Sequence, residues 1–272
     1  MSRRTATLAR HAVLIAGSVT VVVPFLWMFT TSLQTRAQTY TSTSVLPTSW
    51  HWENYAHAWA AAPFGRYYLN SLVMAAGIVL GHLVLDALAA YAFARFRFPL
   101  RDPLFVLLLA MLLVPTFVTV IPAYSLVAGF GWIDTYAGLI VPRLADVFGI
   151  ILLRQYFAGI PQELEDAARI DGCSRAGTFV RIMVPLSTPA FATLAIFSFL
   201  FAWNDFLWPL LVTNSDEMRT IQIGLASFEG RYGTSWNYLM AGTVMATLPA
   251  MAVFMAFQRL LVRGIAMTGL KD

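Results

Sequence analysis

Lysine is almost missing from this chain, since Lys271 is the single lysine among 18 basic residues. A phosphate-binding P-loop needs its lysine inside a glycine-rich strand-to-helix turn to reach the phosphates. A chain with no lysine before position 271 does not hydrolyse ATP by that route. Cysteine is equally scarce: Cys173 alone excludes an intrachain disulfide framework and reads as a reduced structural thiol. The four histidines, His11, His51, His57 and His82, form no His-Glu-x-x-His or comparable ligand pattern. His51 and His57 stand among Trp50, Trp52, Tyr55 and Trp59, where interfacial aromatic packing explains them better than a metal site. The stretch Gly-Cys-Ser-Arg-Ala-Gly at 172–177 lacks the spacing of a Gly-x-Ser-x-Gly nucleophile elbow, and no strand pattern precedes it. Charge of either sign is also sparse: 12% of residues are charged, against about a quarter in a soluble domain.

What replaces charge is apolar sequence, 58% of the 272 residues, with mean hydropathy +0.67. Four uncharged runs, 12–33, 104–133, 182–203 and 232–258, approach or exceed the roughly 20 residues that cross a bilayer as a helix. Two weaker spans complete a set of six. The run 67–94 carries His82 and Asp86, and 135–157 carries Arg143, Asp146 and Arg154. The fold class expected is therefore all-α, a polytopic membrane protein with six transmembrane helices. Residues 1–272 read as a single transmembrane domain. The N-terminal Met-Ser-Arg-Arg resembles the start of a signal peptide, but the apolar run after it is too long and carries no small-residue cleavage pattern, so it is expected to remain as the first span.

Basic residues set the orientation, because they accumulate in cytoplasmic loops. Six spans put both termini on one side with the loops 95–103 and 159–181. That side holds Arg3, Arg4, Arg10, Arg95, Arg97 and Arg101, then Arg154, Arg169, Arg175, Arg181, Arg259, Arg263 and Lys271. The other side holds only Arg36, Arg66, Arg219 and Arg231. Both termini and the loop 159–185 are therefore expected in the cytoplasm, and the net charge of +4 calls for no nucleic-acid partner. The external loop 34–66 contains a short amphipathic helix ended by Pro63 and Gly65, which reads equally as a dock for an extracytoplasmic partner or as a surface anchor.

Ionisable residues inside a bilayer are costly and face a cavity or a protein partner. Here they are His82 with Asp86, Arg143 with Asp146, and Asn204 with Asp205. Spacings of three and four put the first two pairs each on one helix face, which predicts local neutralisation. A polar translocation path and simple helix-to-helix fastening both account for them. The aromatics beside Asp205, Trp203 and Trp208, suit either stacking on a sugar face or an interfacial belt. Prolines at 24, 115, 122, 142 and 249 fall inside spans, where kinks are tolerated when neighbouring helices satisfy the freed backbone groups.

Between two apolar runs stands Gln-Glu-Leu-Glu-Asp-Ala-Ala-Arg-Ile-Asp-Gly, residues 162–172. Pro161 suits a helix start, Glu163, Glu165 and Asp166 fall near the positive end of the helix dipole, Arg169 near its negative end, and Gly172 supplies a left-handed stop. The result is a rod of about 15 Å, too short and too charged to cross the bilayer. Leu164, Ala167 and Ala168 give it a low-profile face, and Ser174 is the expected cap of a second helix leading into span five.

Asp166, Ala167, Ala168, Gly172, Ile182, Val184 and Pro185 occupy the places of Glu-Ala-Ala, three residues, Gly, nine residues, Ile, one residue, Leu-Pro. This series resembles the EAA loop of ABC importer membrane subunits, departing only at Asp166 for Glu and Val184 for Leu. Further matches at 67–75, 89–99, 149–172, 201–210 and 258–272, in order, point to the carbohydrate-type branch, similar to the smaller maltose-permease subunit. The resemblance implies an EAA coupling helix between spans four and five, seated in an ATPase cleft. Glu165, Asp166, Ala167, Ala168, Asp171 and Gly172 would carry that coupling. Arg143, Asp146, Trp203, Asn204 and Asp205 are the candidates for the translocation path.

The same resemblance implies the partners: a second permease subunit in a heterodimer, two ATPase subunits, an extracytoplasmic solute-binding protein and the lipid bilayer of a bacterial plasma membrane. ATP and Mg would be bound by the ATPases, with no cofactor, metal or catalytic residue in this chain. The expected function is a permease subunit forming half of the path for a sugar or related solute. The alternative is a proton-coupled secondary transporter using Asp86, Asp146 or Asp205 as a relay.

Overall fold

Three apolar runs become long continuous helices in the computed structural model, which describes residues 3–41, 46–230 and 233–268. Lys271, Arg231 and the closing Gly-Leu-Lys-Asp of the C-terminal match lie outside the described residues. The stretches Arg10–Ser32, Phe64–Arg95 and Trp236–Arg259 are each long and apolar enough to cross a membrane. The remaining apolar sequence forms three bent pairs, Arg101–Met111 with Thr116–Gly129, Tyr136–Arg143 with Val147–Ala158, and Arg175–Leu186 with Thr188–Asn204. Counting each pair as one span gives up to six.

The bends differ from the straight runs the sequence suggested, and proline accounts for their placement. The run 104–133 folds back by 101° at a break that ends on Pro115, whose extended backbone (φ −60°, ψ 134°) starts the next helix. Pro142 sits in a 3-10 turn, Val141–Arg143, ahead of a 43° bend. Pro185 and Pro189 flank the 79° bend at Ser187. Proline lacks the N–H that a continuing helix needs, and its ring crowds the preceding turn. Pro24, Pro122 and Pro249, by contrast, lie inside continuous helices.

The chain divides into two compact units, residues 1–65 with 223–248 and residues 66–222 with 249–272. In the first, the helix Glu53–Ala60 is held by Asn54, whose buried amide donates to the carbonyls of Ser32 at 2.8 Å and Gln34 at 2.9 Å. The Phe64 ring stacks on Phe228 at 5.6 Å, and among the described residues the only strands are a two-residue antiparallel ladder, Glu229–Gly230 with Gly233–Thr234. Residues 10–27 of the first long helix are exposed, so their valines, leucines and aromatics face outward, whereas Thr30, Thr31 and Ser32 at its end are buried.

The second unit holds the functional candidates around two apolar clusters. One joins Ala90, Tyr91, Leu153, Phe157 and Met183; the other joins Met74, Ile78, Leu139, Trp208 and Val212. Lipid tails are as apolar as leucine, so helices in a membrane gain contact chiefly by close approach over small residues. Gly149 shows this directly: a Cβ there would stand 2.1 Å from Asp86 Oδ2 and 2.9 Å from Leu194 Cδ1. A hydrogen in that place lets the helix Val147–Ala158 lie against both the 82–86 turn and the helix Thr188–Asn204.

Candidate coupling helix and intramembrane polar network

The charged stretch forms a nine-residue helix, Gln162–Ile170, with Pro161 as its extended cap. Its end is a Schellman motif: Cys173 N–H donates to Ala168 C=O at 2.8 Å and Gly172 N–H to Arg169 C=O at 3.0 Å. Gly172 makes this possible by adopting φ +82°, and a Cβ there would meet nothing within 4 Å. Its requirement is therefore one of backbone conformation. Ser174 then caps the next helix, its Oγ accepting from Gly177 N–H at 3.1 Å.

The helix has two faces, and they are drawn differently from the expected small-residue face. Ala168 joins Glu165 on the buried side, whereas Leu164 and Ala167 point outward with Glu163, Asp166 and Asp171. Ile170, at 87% exposure, is among the most exposed large apolar residues described. Glu165 is the inward anchor. Its carboxylate is fully buried, 2.6 Å from Arg95 Nε, and accepts the Tyr91 hydroxyl at 3.1 Å. Arg95 in turn donates to the carbonyls of Phe157 at 2.7 Å and Ile160, and to Gln162 Oε1 at 3.0 Å. One guanidinium thus joins the end of Ala87–Arg95, the end of Val147–Ala158 and the start of the charged helix. The Asp166–Arg169 pair at 3.3 Å is exposed and contributes little.

The intramembrane charges pair across the unit, which corrects the expected pairing within each helix. Arg143 Nη2 contacts Asp205 Oδ2 at 3.1 Å, not Asp146. The three-residue spacing fails because the 43° bend separates Arg143 from Asp146, whose backbone is extended at φ −135°. His82 and Asp86 likewise take partners elsewhere and not each other, along the π turn His82–Asp86. Asp86 Oδ1 accepts Asp146 N–H at 3.0 Å, at the start of Val147–Ala158, where free N–H groups and the dipole favour a carboxylate. His82 Nε2 lies 2.9 Å from the Arg143 carbonyl and Nδ1 lies 2.7 Å from Ser198 Oγ. A neutral ring with its proton on Nε2 satisfies both contacts.

Arg143 also lies over two rings, 5.4 Å from Phe201 and 5.6 Å from Trp208, so its charge is held by a carboxylate and by aromatic faces. Asp205 Oδ1 caps the following helix by accepting Trp208 N–H at 3.3 Å. A cavity of about 270 Å³ opens beside Asp146, His82, Ser198 and Phe201, and one of about 210 Å³ beside Arg143, Thr116, Thr119 and Trp208. Asn204 is exposed, its amide donating to Leu200 C=O. Trp203 is buried, packed on Phe199 at 5.6 Å and Tyr68 at 5.8 Å, so its ring belongs to the packing and lines neither cavity. Among the described residues no group of three or more His, Cys, Asp or Glu is gathered as for a metal ion.

Sequence reasoning counted Arg95 only as a marker of the cytoplasmic side and left Tyr91 and Ser198 unremarked. Nothing local in the sequence signals them, because each acts on a residue far along the chain.

Residues 77–267 match the model of the family described as binding-protein-dependent transport system inner membrane component. The chain is 35% identical to the sn-glycerol-3-phosphate transport system permease protein UgpE of Yersinia enterocolitica, with 97% of each chain covered. It is 34% identical to the diacetylchitobiose uptake system permease protein NgcG of Streptomyces coelicolor, over 94% of this chain and 86% of that one. Identity is 38% to the arabinooligosaccharides transport system permease protein AraQ of Bacillus subtilis, over 76% and 73%. The fold superposes on a chain of a bacterial ABC transporter involved in import of the acidic polysaccharide alginate, with TM-score 0.84, 21% identity and coverage of 96% and 99%. A second alginate transporter chain, from a complex with a periplasmic protein, gives TM-score 0.65 at 15% identity. At such identities the likeness is one of fold. Matched by the family model over most of its length and by relatives from end to end, the chain belongs to the binding-protein-dependent inner membrane components, the permeases of ABC importers.

Proposed function

We propose that this chain is one of two permease subunits of an ATP-driven importer for a sugar or sugar-related solute. Its three continuous helices and three bent pairs then make six spans of one transmembrane domain in a bacterial plasma membrane, with both termini in the cytoplasm. The loop 34–66 lies outside, and the loop 159–185 carries the coupling helix Gln162–Ile170. The single observation that supports this most is the two-sidedness of that helix within a family of importer permeases. Its inner face is fixed to the helix bundle by Glu165, while Asp166, Ala167 and the apolar Ile170 are exposed on the outer face. An exposed isoleucine on a charged loop suits a cleft in a partner ATPase.

In this reading two ATPase subunits bind ATP and Mg, close, and push the helix; a solute-binding protein delivers cargo to the opened cavity. This chain performs no bond chemistry. The exposed face of the helix, with Asp171 and the Gly172 joint, takes the push, and the Arg143, Asp146 and Asp205 network, with Asn204 beside it, forms half of the path. Relatives named for glycerol phosphate, diacetylchitobiose and arabinooligosaccharides share a polyhydroxy cargo, which is why the solute class is set at sugars and sugar-related compounds.

The test is co-expression with the partner permease, ATPases and binding protein, followed by purification and reconstitution in proteoliposomes. Retained ATPase subunits and solute uptake that stops without ATP and survives collapse of the proton gradient are the expected results. Uptake that needs the proton gradient and no ATPase would instead establish the secondary-transporter alternative.

A further inference from the structure

The buried face of the charged helix raises a question the coupling role leaves open: how does a nine-residue rod outside the bilayer move a span? A rod carried on flexible joints would dissipate a push. On the Gly172 side a left-handed turn ends the helix and its bonds run back to the rod alone. On the other side the chain turns through Gly159, Ile160 and Pro161, where Gly159 N–H is shared between the Gln155 and Tyr156 carbonyls and Ile160 N–H donates to Phe157 C=O, bonds that close the preceding helix and do not reach the rod. Neither end alone fixes the rod's orientation.

Arg95 supplies that fixation from a third element. The Arg95 side chain is 8% exposed and that of Glu165 fully buried, and their ionic atoms stand 2.6 Å apart. The two terminal guanidinium nitrogens donate to the Phe157 and Ile160 carbonyls and to the Gln162 side chain, so the fork ties the exit of Val147–Ala158 to the rod itself. Tyr91, one turn before Arg95, adds a hydroxyl to Glu165 and packs its ring on Phe157 and Phe179. Phe179 belongs to the segment that follows Ser174. The rod is therefore bolted to Phe64–Arg95, a continuous helix whose 82–86 turn reaches the Asp86, Asp146 and His82 network. A buried pair of this kind is weak evidence for stability, since apolar packing often serves as well. A planar fork that fixes three backbone segments at once is suited to transmitting orientation.

We infer that Glu165 and Arg95 are the positioning residues that transmit motion of the charged helix to the Phe64–Arg95 span, and that neither belongs to the surface that binds the ATPases. This rests on the proposed importer function and adds the route by which the push enters the membrane domain. The route runs through the second long helix as well as through the chain that leads directly into Thr188–Asn204.

The experiment uses the full complex in proteoliposomes, with ATP and Mg²⁺ as the driving pair and radiolabelled glycerol 3-phosphate, diacetylchitobiose and arabinotriose as transported probes. Uptake per ATP hydrolysed is read together with ATPase retention. Glu165→Gln keeps shape and removes the charge; it is expected to retain the ATPases, hydrolyse ATP at a near wild-type basal rate and lose at least about fivefold in uptake per ATP. Arg95→Lys, which keeps a cation but not the fork, is expected to fall between wild type and Arg95→Gln. The double variant Arg95→Gln with Glu165→Gln is expected to lose no more than the worse single, because the two act as one fastening. An unchanged ratio in Glu165→Gln, multiplying losses in the double variant, or loss of ATPase subunits from Glu165→Gln would each overturn the inference. If the Glu165→Gln permease itself does not fold and accumulate in the membrane, Tyr91→Phe removes one hydrogen bond and no charge: a lowered ratio with ATPases retained supports the fastening, and an unchanged one overturns it. Should the wild-type complex hold no ATPases and carry none of the three probes, the importer reading itself fails, which is a distinct result.

Discussion

Asp205 reaches Arg143 across a helix break, with 3.1 Å between Oδ2 and Nη2 and side-chain exposures of 10% and 19%. The two residues come from different bent pairs, so the contact fixes how Tyr136–Arg143 lies against the end of Thr188–Asn204. Arg143 is held on its other sides by Phe201 and Trp208, and the other carboxylate oxygen of Asp205, Oδ1, caps the helix Leu207–Val212 by accepting Trp208 N–H.

Breaking this pair from one side is expected to cost more than replacing it whole. Asp205→Asn leaves a nearly buried guanidinium without its counter-charge and should destabilise the chain by about 2 kcal/mol, less than a fully buried pair because some exposure remains. Arg143→Met with Asp205→Asn removes both charges, nearly keeps the volume and leaves an oxygen to cap Trp208, and should lie within about 1 kcal/mol of wild type. Thermal unfolding of the detergent-purified complex measures both. A double variant as unstable as the single one would show that the charges themselves hold the elements together.

Gly149 sets a second prediction. Its Cβ position falls 2.1 Å from Asp86 Oδ2, so Gly149→Ala forces the carboxylate or the helix to move. Overpacking of this kind costs about 1–3 kcal/mol, and here it also disturbs the bond from Asp146 N–H to Asp86. Yield and melting temperature of Gly149→Ala should fall. Adding Asp86→Ala should restore only part of the loss, because Leu194 Cδ1 still stands 2.9 Å from the new methyl. Full restoration would mean that Leu194 yields freely.

How far such features were legible from sequence depends on the range of the interaction that makes them. Pro161, Ser174 and Gly172 announce the charged helix, its left-handed stop and the next cap because caps are built from residues within a turn of one another. The long spans are equally plain, since composition alone decides transfer into hydrocarbon. The 101° fold within 104–133 was hidden: the sequence is equally apolar on both sides, and Pro115 also suits a mere kink. In the sequence Glu165 reads as one of the acids near the helix start and as a residue that would carry the coupling. Its burial depends on Arg95 and Tyr91 from another span, which no local pattern encodes. Arg143 and Asp146 failed as a local pair for the same reason in reverse: the spacing rule presumes a continuous helix, and the bend removes it.

Asp134 gives a pH-dependent expectation outside the spans. It adopts φ +61°, its N–H donates to Val212 C=O at 2.7 Å, and its carboxylate accepts the N–H groups of Asn214 at 3.0 Å and Ser215 at 3.1 Å. Burial pushes its pKa up, but the bonds from Ser215 and Asn214 and the nearby Arg219 outweigh it and hold the carboxyl below its usual value. A folded pKa below the unfolded one, about 3.9, means the contribution is fully present above that value and fades as pH falls through the folded one. Melting temperature followed from pH 6 down to pH 3, roughly the window around that reference value, should decline less in Asp134→Asn than in wild type. Equal slopes would exclude this carboxylate as a source of acid sensitivity. Asparagine tolerates the left-handed backbone, so the comparison isolates charge.

Gly172 separates backbone from contact in the loop itself. At φ +82° with nothing within 4 Å of a Cβ, any substitution meets strain and no steric neighbour. Left-handed geometry costs an ordinary residue about 1–2 kcal/mol, asparagine less, and a β-branched residue the most. The order of function should therefore be glycine, asparagine, alanine, valine, following backbone tolerance and not side-chain size, since asparagine is larger than alanine. In Gly172→Val the strain is relieved most readily by opening the Schellman bonds from Cys173 to Ala168 and from Gly172 to Arg169, which frays the end of the helix that presents Ile170. ATPase co-purification and solute uptake should fall together in that variant, by about tenfold if the strain is near 1.4 kcal/mol. An order that follows volume would show that a partner surface closes over Gly172, and the joint would then be part of the docking face rather than a backbone device.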